Sequence, residues 1–178
     1  MQTNALLRAR REKDQVFRLD DQSPLTEAQK DAFTALNYYD PNPALDLTLT
    51  AAPLDPTEDG AILIETTTRE LRRYRRFGRV QFDVDGTPVT LTIYETPHGF
   101  FLPFVDAGAG TETYPAGRYL DPEYLGNNRF HIDFNLAYNP YCAYGPSWSC
   151  PITPAENRLT VAIRAGEKIP TGEWLEKV

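Results

Sequence analysis

Residues 129–135, with the sequence RFHIDFN, bring an imidazole, a carboxylate and an amide together at a spacing of two residues. Side chains alternate between the two faces of a β-strand, so a strand here places His131, Asp133 and Asn135 on one side. His131 can exchange a proton near neutral pH, and Asp133 can accept one. The pattern predicts either a solvated strand face or the polar wall of a ligand pocket.

A long connection follows this strand directly. Residues 135–158 contain four prolines, which restrict the backbone, together with several aromatic rings. A connection of this length inside a compact domain is more often functional than idle, so we expect a rigid cover over the strand. Its asparagines either bond the local backbone or grip a ligand. The predicted ligand contacts are Arg118, Asn135, Tyr138, Asn139 and Asn157.

Three functions are compatible with such a site. The first is the binding of a small polar or anionic molecule in a pocket roofed by the long connection. The second is a hydrolase or isomerase in which Asp133 or Glu156 acts as base and His131 as acid. The third is a structural or interaction protein that exposes the aromatic connection to a partner.

Cys142 and Cys150 enclose seven residues, and Gly145 and Pro146 allow this segment to bend enough for a bridge. Buried thiols, a disulfide and a zinc site shared with the two histidines are the three interpretations. The spacing matches no common zinc-binding module, so we predict no metal among the site residues. The state of the cysteine pair is left open.

Residues 69–79, RELRRYRRFGR, hold six arginines. Such a run lies on a solvated face beside carboxylates, or it contacts an anionic ligand. The net charge of −7 argues against a protein that neutralises nucleic-acid phosphates. We therefore predict no nucleic-acid partner. Arginines that share a cavity with His131 would indicate an anionic ligand.

The signatures GxSxG, Walker A, GxGxxG and HExxH are absent, and we predict no cofactor. The chain starts with polar and charged residues, and no stretch approaches the ~20 apolar residues of a membrane-spanning helix. These features predict a cytoplasmic protein without a membrane partner. They leave its oligomeric state open.

The first 40 residues have helical features. Thr26 and Gln29 form a capping box, which competes with Ser23 as the start of a helix, and prolines follow at positions 41 and 43. An apolar stripe at helical spacing is predicted to pack on a sheet. Its members are Leu25, Ala28, Ala32 and Leu36.

From residue 44 the period of apolar residues changes to two, which is typical of strands. Strands are predicted over residues 45–51 and within AILIETT, GRVQFDVDG, TPVTLTIYET, GFFLPFVD, GRYLD, RFHIDFN and LTVAIRAGE. Asp85 and Gly86 predict a tight hairpin. We predict a single, mainly β domain over residues 1–178, an antiparallel β-barrel or curved β-sandwich (a meander) with two N-terminal helices and a β-rich core over residues 44–178.

Several segments carry a resemblance to a known family: REKDQVF, SPLTEAQKDAF, FVDAGAGTETYPAGRYLD and DFNLAYNPYCAYGPSWSCPITPAENRLTVAIRAGEK. The chain resembles the bacterial and archaeal family called domain of unknown function 1684. The resemblance implies no activity, because none is established for the family. It directs attention to Gly117, Arg118, Tyr119, Asp133, Asn135, Tyr138, Asn139, Cys142, Cys150, Asn157, Gly166, Glu167 and Lys168. This chain has Gly108 and Ala109 where the family often has threonine and serine, so chemistry that used those hydroxyls is not expected here.

Overall fold

The computed structural model describes residues 3–172 and residue 175. The remaining residues of the predicted 1–178 domain lie outside the described part. The helices are α1 (Thr3–Leu19) and α2 (Glu27–Ala32). The strands are β1 (Asp46–Thr50), β2 (Ala61–Glu65), β3 (Leu71–Val84), β4 (Thr87–Thr96), β5 (Gly99–Phe104), β6 (Arg118–Leu120), β7 (Glu123–Gly126) and β8 (Arg129–Asp133).

The strands form two antiparallel sheets. One has three strands in the order β1-β8-β7, and the other has five in the order β2-β3-β4-β5-β6. The predicted mainly β, antiparallel architecture with two helices is confirmed. In the described residues neither sheet closes on itself into a barrel, and an isolated bridge between Ala52 and Arg79 links the edge of one sheet to the other.

Both sheets contribute to one hydrophobic core, because each has an apolar face that must leave water. The ring of Phe130 in β8 lies 4.8 Å from the ring of Phe100 in β5 and 5.3 Å from that of Phe77 in β3. Core residues with no exposed surface include Val80, Leu91, Ile93, Leu102, Phe104, Phe130 and Phe134. The alternation read from the sequence thus identifies the inward face of β8 correctly.

The predicted hairpin at Asp85 and Gly86 is confirmed. Both residues have positive φ, 50° and 80°, and they connect β3 to β4 where Val84 pairs with Thr87. A two-residue turn of this kind matches the twist of the flanking strands. The strand β3 is longer than predicted, since it begins at Leu71 and includes the arginine run.

The second helix differs from the prediction. Thr26 is its N-cap, with the capping box to Gln29, but the helix ends at Ala32, well before the prolines. Side chains of α1 explain the early end: Arg18 donates to the carbonyl of Phe33, and Asp14 accepts from the amide of Leu36. These bonds hold the chain extended after Ala32.

The predicted apolar stripe is also wrong in part. Leu25 and Leu36 are buried, but Ala28 and Ala32 are exposed, and the buried face of α2 carries Gln29 instead. The helical segment packs against the long connection instead of a sheet. The ring of Phe17 lies 5.0 Å from that of Tyr144, and Gln29 donates to the carbonyl of the same tyrosine.

The predicted strand LTVAIRAGE is not a strand in the structure. Residues 159–167 run as irregular chain, and the carbonyls of Ile163, Ala165 and Glu167 accept hydrogen bonds from Arg118. These carbonyls therefore do not join a ladder. At Gly166, with φ of +76°, a Cβ would lie 2.6 Å from the carbonyl oxygen of Ala137, so the close approach to the long connection requires glycine.

Neither helix in the described part of the chain has the length and apolar character needed to cross a bilayer.

The side chain of Asn157 lies between β4 and β5, at the point where these two strands separate. The pairing of β4 with β5 ends at Tyr94 and Phe101, and beyond it the Asn157 amide fills the gap. Its oxygen accepts from the amide of Thr92 at 2.8 Å, while its nitrogen donates to the carbonyls of Thr92 and Pro103, each at 2.8 Å. The side chain has no exposed surface, so it replaces backbone ladder bonds inside the core.

We expect Asn157→Ala to lower the free energy of unfolding by about 3 kcal/mol or more, because three buried backbone groups would lose their partners at about 1–3 kcal/mol each. Denaturant unfolding monitored by circular dichroism measures this loss. The exposed Asn4 in α1 provides a control, since Asn4→Ala should change stability by less than about 0.5 kcal/mol. Equal effects of the two substitutions would contradict the assigned role.

Candidate functional site

Three neighbouring cavities lie beside the long connection, and Tyr138 is a wall of all of them. Their volumes are about 490, 440 and 360 Å³. Tyr119 and Pro151 are shared by the first and second cavities, and Asp121 is shared by the second and third. We call the three cavities together the Tyr138 groove.

Tyr138 is held at the centre of the groove by its backbone and by its hydroxyl. Its amide and carbonyl exchange hydrogen bonds with those of Tyr119 in β6, at 2.9 and 2.8 Å. The hydroxyl donates to Asp121 at 3.0 Å. Burial raises the pKa of Tyr138, as does the neighbouring Asp121 carboxylate, so the hydroxyl remains a donor at neutral pH.

The first cavity has aromatic walls and one cation. The rings of Tyr141 and Trp148 meet edge to face with centroids 4.9 Å apart. The Lys13 ammonium, from α1, lies 5.1 Å from the centroid of the Tyr138 ring, which is within the range of a cation–π contact. Helix α1 thus supplies a wall of the groove, which the sequence did not indicate.

The third cavity contains the strand face predicted from RFHIDFN. His131 and Asp133 both line it, together with Asp121 and Glu123. The Nε2 atom of His131 lies 2.6 Å from Asp46, and Nδ1 lies 3.5 Å from Glu123. The hydrogen bond with Asp46 raises the pKa of His131 above its ordinary value of 6.5.

Asp133 and Asn135 form a buried local pair beside this cavity. One carboxylate oxygen of Asp133 accepts from the backbone amide and from the side-chain amide of Asn135, at 2.9 and 2.8 Å. Asn135 also accepts from the amide of Asn42 and donates to its carbonyl. The pair therefore fastens the start of the long connection to the residues that precede β1.

Arg118 lies in a buried ion pair. Its guanidinium donates to Asp106 at 2.6 Å and to the three carbonyls of residues 163, 165 and 167, and its side chain is 1% exposed. Asp106 also accepts from Thr113 and from two backbone amides. The four oxygens to which Arg118 donates all belong to the protein, so its described hydrogen bonds are structural.

Glu167 links distant segments of the chain, a role that the sequence pattern did not predict. Its buried carboxylate accepts from Lys13 at 2.5 Å, from the amide of Asn139 at 2.8 Å and from the hydroxyl of Tyr144 at 3.1 Å. The Asn139 side chain donates to the carbonyl of Lys168. The family resemblance pointed to Glu167, but no periodicity could show that its partners come from α1 and from the long connection.

The hydrogen bonds that the structure describes for Glu156 do not include His131. Glu156 accepts from Arg76 at 2.8 Å and from the hydroxyl of Tyr94 at 2.6 Å, so its lowered pKa reflects bonds that outweigh its burial. Three other arginines of the run also pair with carboxylates. These pairs are Arg72 with Glu70, Arg75 with Glu95 and Arg79 with Glu58.

Both cysteines are thiols in the structure. Cys150 is buried and lines the first cavity, and its sulfur accepts a hydrogen bond from the amide of Cys142 at 3.3 Å. Within the described residues no group of three or more histidine, cysteine, aspartate or glutamate side chains is arranged to hold a metal ion.

The fold and this site together define a mainly antiparallel β protein whose aromatic groove is supported by buried ion pairs. The model of the family described as Protein of unknown function (DUF1684) matches residues 31–168. The chain belongs to this family, as the resemblance indicated.

The structure is similar to the solution NMR structure of an uncharacterised protein from Haloarcula marismortui. The two chains are 33% identical, with a TM-score of 0.67, and the similarity covers 93% of this chain and 92% of the other. None of the curated proteins compared with the chain matches it. The Haloarcula marismortui protein shares the fold, and as an uncharacterised protein it supplies no activity.

The pair of His131 with Asp46 makes the free energy of unfolding depend on pH. Because the folded pKa is raised, the pair stabilises the fold below the ordinary pKa of histidine, and this contribution is lost as pH rises through the folded value. We expect His131→Gln to cost more at about pH 5.5 than at about pH 9, with a difference below about 1 kcal/mol because the pair is partly exposed.

Urea unfolding at both pH values measures the difference. Arg129, exposed on the same strand, provides the control, since Arg129→Gln should give equal losses at the two pH values. A loss for His131→Gln that grows with pH would contradict the assignment.

Arg118→Met should lower the free energy of unfolding by about 3–5 kcal/mol, since it leaves a charged Asp106 buried without its cation. Arg164 provides a matched control because its pair with Glu112 is exposed, and Arg164→Met should cost less than about 1 kcal/mol. Chemical denaturation distinguishes the two values. A mild effect at Arg118 would mean that its main role is not structural.

Proposed function

We propose that the protein is a small-molecule-binding domain and that its ligand occupies the Tyr138 groove. The supporting observation is the position of Tyr138, which walls three adjoining cavities and is held by β6 and by Asp121. The individual volumes of about 490, 440 and 360 Å³ fall in the range of small-molecule sites, roughly 300–1,000 Å³.

The charges around the groove favour a neutral or cationic ligand. Asp121, Glu123 and Asp133 line the third cavity together with His131, and the Lys13 charge in the first cavity is compensated by Glu167. Among the described residues no arginine lines the groove. Four arginines of the run that could have indicated an anion, Arg72, Arg75, Arg76 and Arg79, pair with carboxylates at the surface instead.

The aromatic walls favour a ligand with a planar ring. Tyr119, Tyr138, Tyr141 and Trp148 offer ring faces and edges, which stack on flat groups and attract cations. The Tyr138 hydroxyl and the carboxylates beyond it can bond a polar substituent on such a ring. A ring with an amino or amide group therefore fits both the aromatic walls and the carboxylate-lined end of the groove.

The predicted contacts contribute in two ways under this proposal. Tyr138 contacts the ligand. Arg118, Asn135, Asn139 and Asn157, whose hydrogen bonds go to the protein, hold the connection and strands that form the walls. The shape of the groove therefore depends on these four residues, although the ligand need not contact them.

The groove is tested with three probes that share one ring and differ in charge: benzylamine, benzamide and benzoate. We expect benzylamine and benzamide to bind more tightly than benzoate, because carboxylates line one end of the groove. Shifts of assigned amide resonances, titrated against each probe, give both the affinity and the position of binding. Binding of benzoate alone, or shifts confined to other surfaces, would contradict the proposal.

Substitutions of Tyr138 measure how much its ring contributes to ligand affinity. Tyr138→Leu should weaken benzamide binding by about 2–10-fold, the effect of losing an aromatic contact worth about 0.5–1.5 kcal/mol. Tyr138→Phe separates the ring from the hydroxyl. Tyr39, half-buried and outside the three cavities, provides the control, and Tyr39→Leu should leave the affinity unchanged.

A second candidate function is acid–base catalysis in the third cavity. The observation in its favour is that both ring nitrogens of His131 face carboxylates, Asp46 and Glu123, while Asp133 lines the same cavity. A panel of 4-nitrophenyl esters assayed with the native protein and with His131→Gln tests it. A hydrolysis rate that is the same in both proteins removes this candidate.

We also propose that residues 1–178 form one cytoplasmic domain in which the two sheets stack as a curved sandwich. The shared core of β1, β8 and the five-stranded sheet supports the sandwich. Limited proteolysis, with one protected fragment expected, tests the single domain.

A further inference from the structure

The geometry around Cys142 and Cys150 points to a reactive dithiol: we propose that Cys150 attacks disulfides of low molecular weight that enter the first cavity and that Cys142 resolves the adduct. The proposal does not depend on the ligand of the groove. It rests on the hydrogen bonds to the Cys150 sulfur, on its position in the cavity wall and on the contact between the two thiols.

The Cys150 sulfur is surrounded by donors. The amide of Cys142 donates to it at 3.3 Å, and the Cys142 thiol and the amide of Tyr141 also hydrogen-bond it. Hydrogen bonds to a sulfur favour its thiolate form. The Cys142 thiol lowers the pKa of Cys150, and the backbone amides and Arg72 act in the same direction against burial.

The backbone of Cys150 is fixed in place by the turn between β2 and β3. Its amide donates to the hydroxyl of Thr67 at 3.0 Å, and its carbonyl accepts from the amide of Thr67 at 2.9 Å. Arg72 donates to the neighbouring Ser149 hydroxyl at 3.1 Å, and its positive charge acts on the Cys150 sulfur. The nucleophile is therefore held rigidly at the wall of a cavity of about 490 Å³.

Cys142 suits the resolving role. Its thiol donates toward Cys150, and this bond together with burial raises its pKa, so it remains protonated while Cys150 reacts. The hydroxyl of Tyr114 contacts its sulfur at 3.7 Å and donates to its carbonyl at 3.2 Å. The seven residues between the cysteines include Gly145 and Pro146 and permit the small movement that closes a bridge.

The exchange has two steps that balance. The Cys150 thiolate forms a bond to one sulfur of a disulfide RSSR, the S–S bond of RSSR breaks, and RS⁻ leaves and takes a proton from water. Cys142 then loses its proton to solvent and its sulfur attacks Cys150, which releases the second RS⁻. The two protein thiols are oxidised to one disulfide, and RSSR is reduced to two thiols.

Oxidised glutathione is the probe, applied to the reduced native protein and to the variants Cys142→Ser and Cys150→Ser. We expect the native protein to form the internal disulfide with no lasting adduct and Cys142→Ser to accumulate a glutathione adduct on Cys150. Cys150→Ser should react at least about tenfold more slowly, because the remaining thiol is protonated. Intact-mass spectrometry of acid-quenched samples follows all three.

Unfolding provides the control, since in denaturant the two single-cysteine variants should react at equal rates. Mapping of the first iodoacetamide adduct on the folded native protein gives a test that needs no variant, and it should find Cys150. Faster reaction of Cys142 in either test, or a native protein that stops at the glutathione adduct, would overturn the proposal.

Discussion

The buried carboxylate of Glu167 is the constraint on which the arrangement of this protein depends. A carboxylate that is 1% exposed must be neutralised and hydrogen-bonded, because an unpaired buried charge is very costly. Its partners come from two distant parts of the chain: Lys13 in helix α1, and Asn139 and Tyr144 in the long connection. Meeting this one requirement brings the helix, the connection and the C-terminal segment together.

A second buried ion pair fixes the other end of the same segment. Arg118 binds Asp106 and the carbonyls of residues 163, 165 and 167, so the chain around Glu167 is held from both sides. The groove results from this scaffold. Its central ring, Tyr138, lies one residue before Asn139, and β6, which pairs with Tyr138, begins with Arg118. Buried polar bonds thus position an aromatic surface.

The site could be predicted only in part. Alternation along β8 predicted that His131 and Asp133 share one face, because side-chain direction in a strand is local. It did not decide between a solvated face and a cavity wall, and the structure shows that both residues line one cavity. The asparagines and Arg118 have polar groups that can serve a ligand or the protein equally well, and residue type does not distinguish the two uses. Lys13 and Glu167 were missed as partners because they are 154 positions apart in the sequence.

Short-range patterns were enough to predict the antiparallel β character, the tight hairpin at Asp85 and Gly86, the capping box at Thr26 and the family. Each of these depends on the periodicity, the backbone preferences or the similarity of short segments. Contacts between distant residues were needed to show that residues 159–167 are not a strand, that α2 ends at Ala32 and that the helices pack on the long connection. In each case side chains from elsewhere take the backbone hydrogen bonds or cover the apolar surface, and local propensity cannot anticipate bonds to distant residues.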